Sequence, residues 1–166
     1  MIQLEKRIIA LTGLPLTGKT TLGERLVQKT DALFFDVDRA RQELKRGNDW
    51  LGSDREREIM LEAYQFNHEK AEAALKTGRA VILAATYSRP TYHEMLERLS
   101  SDEHVPLDVF LLALPQEEAE IRIAKRVAEG SDSNIRSLEG YLEVRDRYEG
   151  FPGAPLRLML PRQQKS

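Results

Sequence analysis

The chain contains no cysteine. That excludes disulfides and thiolate metal sites and suits a reducing compartment. It also lacks a long hydrophobic run. The apolar stretch near the N-terminus, Ile8 to Leu16, is interrupted by Gly13 and Pro15. It is too short for a membrane span and does not have the form of a signal peptide. Neither charge is in excess: 25 Lys and Arg stand against 27 Asp and Glu, for a net charge of −2. The balance gives no electrostatic case for gripping long nucleic acid, although a local basic cleft is compatible with it. Histidine is scarce, and His68, His93 and His104 show no metal-ligand spacing. Internal repeats, low-complexity tracts and Pro/Gly-rich linkers are absent. The expectation is a soluble cytoplasmic protein. What is present is 166 residues, the length of one domain over residues 1–166. Apolar residues make up 41%, enough for one core, and 31% charged residues imply a well-solvated surface.

The pattern alternates short apolar runs with helical periodicity. Arg7 to Leu11, Ala32 to Phe35, Ala80 to Ala85, Leu107 to Leu114 and Leu156 to Leu160 read as strands. Ala80 to Ala85 has no polar alternation, as expected of a central parallel strand. Helices are predicted over Thr20 to Lys29, Asp38 to Arg46 before Gly47, a long segment from Ser53 to Leu75 closed by Gly78, Pro90 to Leu99, Pro115 to the Gly130 stop, and Leu138 to Tyr148. Ser53-Asp-Arg-Glu56 has the form of a capping box. Pro115 suits a first helical position. Glu143 and Arg147 are spaced for an i, i+4 pair. Met60, Met95 and Met159 read as core filling. Residues 161–166 read as a loose tail. Strands alternating with helices imply an α/β fold with a parallel sheet, and ligands of such sheets lie beyond the carboxyl ends of the strands.

One motif sits at such an end. Gly13-Leu14-Pro15-Leu16-Thr17-Gly18-Lys19-Thr20 matches Gly-x-x-x-x-Gly-Lys-Thr in full, between a predicted strand and a predicted helix. Glycines let successive backbone N–H groups turn inward onto phosphate oxygens. The helix that follows, through Thr21, adds its positive end. Lys19 is placed to reach the outer phosphates, and the Thr20 hydroxyl can ligate magnesium. ATP and Mg2+ are the expected ligands.

After the second strand comes Asp36-Val-Asp38-Arg39-Ala-Arg41. With the phosphate loop, this stretch resembles the small P-loop kinases: shikimate kinase, gluconate kinase, adenylylsulfate kinase, the 5′-hydroxyl polynucleotide kinases and the zeta toxins. The resemblance covers nearly the whole chain in the order of its elements. Its specific part lies in residues 13–20 and 36–41, and more weakly in 79–90 and 121–134. It implies a three-layer fold with a five-stranded parallel sheet of order 2-3-1-4-5 and transfer of the γ-phosphoryl group of ATP to a hydroxyl. By the same resemblance Asp38 would take the proton of the attacking hydroxyl. Arg41 would hold the acceptor, and Asp36 a magnesium-bound water. Locally, Asp38 also reads as a helix N-cap, Asp36 as a cap or turn residue, and Arg41 as a solvated helix residue.

The third strand departs from the pattern. Relatives often carry Asp where this chain has Ala84, ahead of Ala85-Thr86-Tyr87. Arg89, just beyond, reads either as a surface residue or as one facing the acceptor. Arg122 and Arg126 fall at i, i+4. They are candidates for closing over the transferring phosphate from a helix that leads to a short lid, about residues 127–137, with Ser131-Asp132-Ser133-Asn134 at its centre. A salt-bridged surface helix with Glu118 and Glu120 is the other reading. Trp50 reads as a hydrophobic contact or as part of the acceptor site. The expected partners are ATP and a small hydroxyl-bearing acceptor. A nucleotide-binding or ATP-hydrolysing regulatory module, for which Ala84 argues, and a polynucleotide 5′-hydroxyl kinase are the alternatives.

Overall fold

A computed structural model describes residues 1–44, 53–130, 135, 137–148 and, as backbone, 156–159. Trp50, Gly47, Ser131–Asn134 and the tail 161–166 lie outside the described residues. The order is β1 (Ile8–Thr12), α1 (Lys19–Lys29), β2 (Leu33–Asp36), α2 (Val37–Glu43), α3 (Glu56–Lys76), β3 (Val81–Ala84), α4 (Pro90–Glu103), β4 (Leu107–Leu112), α5 (Gln116–Ala128), α6 (Leu138–Arg147) and β5 (Leu156–Met159).

Strand β3 is an inner strand of the sheet, and all four of its residues are buried. It lies parallel between β2 and β1, β4 follows β1, and β5 runs along β4, so the sheet reads β2-β3-β1-β4-β5. The two-residue repeat of a strand sends alternate side chains to opposite faces. Ile8, Ala10, Val81, Leu83 and Val109 pack against α2, α3 and α4, with Tyr64, Leu75 and Leu96. Leu11, Ile82, Ala84 and Leu112 face α1, with Leu22, Leu26 and Phe34. Each fully buried aliphatic side chain here stabilises the fold by about 1.5–3 kcal/mol. Truncating Leu83 to Ala is expected to cost about 2–5 kcal/mol, transfer loss and cavity together. A smaller third cluster joins α5 and α6. No helix among the described residues is long and apolar enough to cross a membrane.

Register decides what meets at the carboxyl end. Asp36 pairs with Ala84, Ala84 with Leu11, and Leu11 with Phe110. The loops after β1, β2 and β3 therefore leave the sheet at one level.

Several local expectations are corrected. Helix α2 begins at Val37, and its cap is Asp36, whose carboxylate accepts from the Asp38 N–H; Asp38 is the second helical residue. Asp36 takes the cap because it ends β2 in extended backbone, the conformation a cap requires. The Ser53 box is not the start of α3. Arg55 is the cap, and the Ser53 hydroxyl accepts from the Arg55 N–H instead. Pro115 is the cap of α5, one residue before the helix, with extended backbone. Arg147 donates to the Glu143 backbone carbonyl, not to its carboxylate. Pro90 does open α4.

Candidate functional site

The phosphate loop is shaped by two glycines in backbone conformations that side chains disfavour. Gly13 has φ +126, and a Cβ there would collide with the carbonyl of Leu112 at the end of β4. Its N–H donates to the Thr86 carbonyl at 3.4 Å. Gly18 caps α1 with φ +89. The first bond of α1 runs from the Leu22 N–H to the Gly18 carbonyl. By helix geometry the N–H groups of Lys19, Thr20 and Thr21 then project from the helix end, the ready-made anion site of a helix N-terminus. The Thr21 side chain is exposed.

Lys19 folds back over the loop. Its ammonium donates to the carbonyls of Gly13 at 2.9 Å and Leu14 at 2.8 Å, and the Thr17 hydroxyl donates to the Leu14 carbonyl at 2.9 Å. Burial drags the Lys19 pKa down to about 8; Asp38 and Asp36 oppose that shift, and Arg126 adds to it. Between these charges the ammonium is poorly hydrated, and an anion brought to it gains more than at a surface lysine.

Asp36 is buried and does two jobs. One carboxylate oxygen caps α2; the other accepts from the Thr20 hydroxyl at 2.6 Å. Burial raises its pKa, the hydrogen bonds from Thr20 and from the backbone of Asp38 and Arg39 pull it down, and nearby Asp38 pushes it up. Ala84 is the lateral neighbour of Asp36 in the sheet, so the strand next door presents a carboxylate at the same level, already aimed at Thr20.

Asp38 and Arg41 form a pair across one helical turn. Asp38 Oδ1 accepts from Arg41 Nη2 at 2.5 Å, and the Asp38 side chain is 71% exposed while that of Arg41 is 8%. The arginine is a built-in part of the wall, and the carboxylate is the part a ligand can touch. Arg39, between them in sequence, pairs with Glu24 and lies over the Phe34 ring. It serves the α1–α2 contact.

Arg122 and Arg126 converge on the loop from the other side. Arg122 Nη1 donates to the Leu16 carbonyl at 2.7 Å, while its Nε pairs with Glu118 at 3.3 Å. The salt-bridged helix and the site-facing helix are therefore the same helix. Arg126 is half-buried. Burial lowers its pKa, Asp38 raises it, and Arg122 lowers it again. Lys19, Asp38, Arg122 and Arg126 thus share one electrostatic neighbourhood, drawn from α1, α2 and α5.

After β3 stands a buried cluster that the sequence does not announce. Tyr87 follows β3 with φ +49 and is fully buried. Its N–H donates to the Tyr64 hydroxyl at 2.9 Å, its carbonyl accepts from His93 at 2.6 Å, and its hydroxyl lies 2.9 Å from His68 Nε2. Tyr64 also stacks on Tyr92 at 3.9 Å between ring centres. In the sequence His68 and His93 stand out only as non-ligands; their work is to hold Tyr87. The one signal they carry is the apolar helical neighbourhood of each residue, which does not say what they meet. Arg89 caps α4 with its backbone and is half-buried. His104 ends α4 with φ +53.

Comparison with known proteins bears on the fold. The family model described as AAA domain matches residues 8–150. No curated protein matches the chain in sequence. Among solved structures, a kinase-like protein of Chloroflexus aurantiacus j-10-fl is 24% identical with a TM-score of 0.76, over 98% of this chain and 93% of that one. A sugar kinase of Janibacter sp. HTCC2649 is 20% identical with a TM-score of 0.70, over 96% and 87%. The APS kinase of Mycobacterium tuberculosis, solved with AMPPNP and APS, is 16% identical with a TM-score of 0.67, over 96% and 91%. The likeness is one of fold: a P-loop kinase-like α/β domain with a parallel sheet.

Proposed function

The chain belongs to the AAA domain family, and from that premise we propose that it transfers the γ-phosphoryl group of ATP to a hydroxyl of a small-molecule acceptor. The observation that carries the reading is the juxtaposition of a complete phosphate loop with the exposed Asp38 carboxylate, itself braced by buried Arg41. A phosphate cradle alone fits any nucleotide binder; a braced carboxylate facing it fits a reaction with an acceptor.

The loop N–H groups and the start of α1 hold the phosphates, and Lys19 moves from its carbonyl partners to phosphate oxygens. Asp38 lies where it can receive the acceptor proton, and Arg41 keeps its Oδ1 in place. The acceptor oxygen forms a bond to the γ-phosphorus as the bond from that phosphorus to the bridging oxygen breaks. ADP leaves, and the hydroxyl proton passes to Asp38. Arg122 and Arg126 face the charge that spreads over the transferring group. Thr20 and Asp36 form an all-oxygen pair beside the loop, 2.6 Å apart, which fits a hard cation such as magnesium. Thr20 would hold it directly and Asp36 through water. When bound, it supplies charge neutralisation on the outer phosphates.

Ala84 favours a second reading, an ATP-hydrolysing regulatory module without an acceptor, because β3 itself brings no carboxylate. One experiment separates the two. Labelled ATP is offered with a panel of sugars, sugar acids, shikimate, nucleosides, antibiotics and 5′-hydroxyl oligonucleotides. Transfer to a small molecule, lowered about 10²-fold or more by Asp38→Asn, is the expected result. ATP binding with no acceptor labelled supports the module, and labelled oligonucleotide supports a polynucleotide kinase.

A further inference from the structure

The side chains of the two leucines inside the phosphate loop are apolar and offer nothing to a phosphate, yet they are well placed. Leu16 is 4% exposed and holds a left-handed backbone at φ +73, a conformation that disfavours a side chain. Its side chain packs into the cluster of Ala119, Ile123, Ile135 and Tyr141. That cluster is otherwise made of α5, α6, Ile135 between them and Leu114 leading in; Leu14 and Leu16 are its members from elsewhere. It is separate from the two clusters that flank the sheet. The carbonyl of the same Leu16 accepts from Arg122 at 2.7 Å. Arg122 Nη1 also lies 3.9 Å from where a Cβ on Gly18 would stand.

We propose that Leu16 is a positioning residue: its side chain anchors the α5–α6 pair to the phosphate loop, and its carbonyl holds Arg122 over that loop. The inference rests on the phosphate-binding reading for its consequence in turnover, but the anchoring itself does not require a nucleotide. The left-handed turn at Leu16 follows from the two demands. The chain must aim the N–H groups of the loop toward the phosphates while sending one side chain and one carbonyl the other way, toward α5. A polar residue at this position would serve the loop equally well and leave α5–α6 without its apolar hold.

The test uses the full chain as wild type, Leu16→Ala, Leu16→Met, Arg122→Ala and the Leu16→Ala/Arg122→Ala double variant. Amide exchange is measured without nucleotide. In Leu16→Ala, the amides of α5 and α6 should exchange about tenfold faster while those of α3 and α4 keep their rates, and Leu16→Met should restore the wild-type pattern. Turnover of labelled ATP is then measured. Leu16→Ala should lower kcat about tenfold and change KM for ATP by less than about twofold, and the double variant should be no slower than Arg122→Ala, because two residues acting as one unit lose their effect once. Unchanged exchange in Leu16→Ala overturns the anchor. Faster exchange with losses that multiply overturns the positioning of Arg122. If the wild type takes up no ATP in calorimetry, the phosphate reading falls, and the exchange pattern still decides the anchor.

Discussion

Leu16 and Tyr87 stand on opposite flanks of the site, and both hold a left-handed backbone without being glycine, at φ +73 and φ +49. Such a conformation costs a residue with a side chain about 1–2 kcal/mol. The two flanks support it by different means. Around Leu16 the fixing contacts fall on a side chain and on carbonyl oxygens: the apolar cluster of α5 and α6, Arg122 on Leu16, and Lys19 on Gly13 and Leu14. Around Tyr87 every polar group of the residue is used, with N–H, carbonyl and hydroxyl each meeting a buried side chain. The contrast fits the proposed function. A loop proposed to bind phosphate needs N–H groups for its ligand, and apart from the Gly13 N–H on the Thr86 carbonyl the contacts named here fall on its side chains and carbonyls. A loop that only lends shape to a cleft can spend all of its polar atoms inside the protein.

The hardest test of this contrast is the loss of a ligand-facing group. Lys19→Ala should lower phosphoryl transfer by about 10²–10³-fold, as loss of a preorganised charge does, while the melting temperature stays within a few degrees. Loss of folding instead would make Lys19 a structural residue and erase the distinction. Asp38→Asn should reduce transfer by about 10²-fold or more, the scale of a lost general base, with ATP affinity in calorimetry within about twofold. Comparable turnover would remove Asp38 from that role.

On the other flank the effects should appear in stability. Tyr64→Phe leaves the buried Tyr87 N–H without its acceptor and should cost about 1–3 kcal/mol in chemical denaturation. Acid provides a finer probe. Burial pushes His68 down to about 4 from 6.5, so the unfolded chain binds its proton first. Stability from this site is complete above pH 6.5 and is lost as pH falls toward 4, by at most about 1.4 kcal/mol per pH unit. His68→Gln should flatten that slope. Lys19 is the counterpart in alkali. Its folded pKa of about 8 lies below the usual 10.5, so wild type should gain stability over Lys19→Met as pH rises between those values.

Much of this is legible in the order of the residues. The phosphate loop needs only local backbone geometry, and Gly13, Gly18, Lys19 and Thr20 declare it within eight positions. The alternation of apolar runs and helical periodicity establishes the parallel α/β arrangement, since each run is short and each helix has one apolar side. Asp36 and Asp38 are visible together, but their division of labour is not. Which of them caps α2 depends on where β2 stops, and β2 runs to Asp36 because β3 continues beside it to Ala84. That Ala84 lies beside Asp36 is hidden for the same reason: a lateral neighbour in a sheet is 48 positions away in the chain.

By itself, then, the amino-acid order determined the phosphate cradle, the class of fold and the acidic pair after the second strand, because these depend on neighbours a few residues apart. Only the tertiary structure decided that Arg122 would rest on Leu16, 106 residues earlier, and that two histidines would close on Tyr87. Parallel strands must be joined by long crossovers, so the loops at the carboxyl end come from distant parts of the chain, and their contacts are set by packing across the sheet.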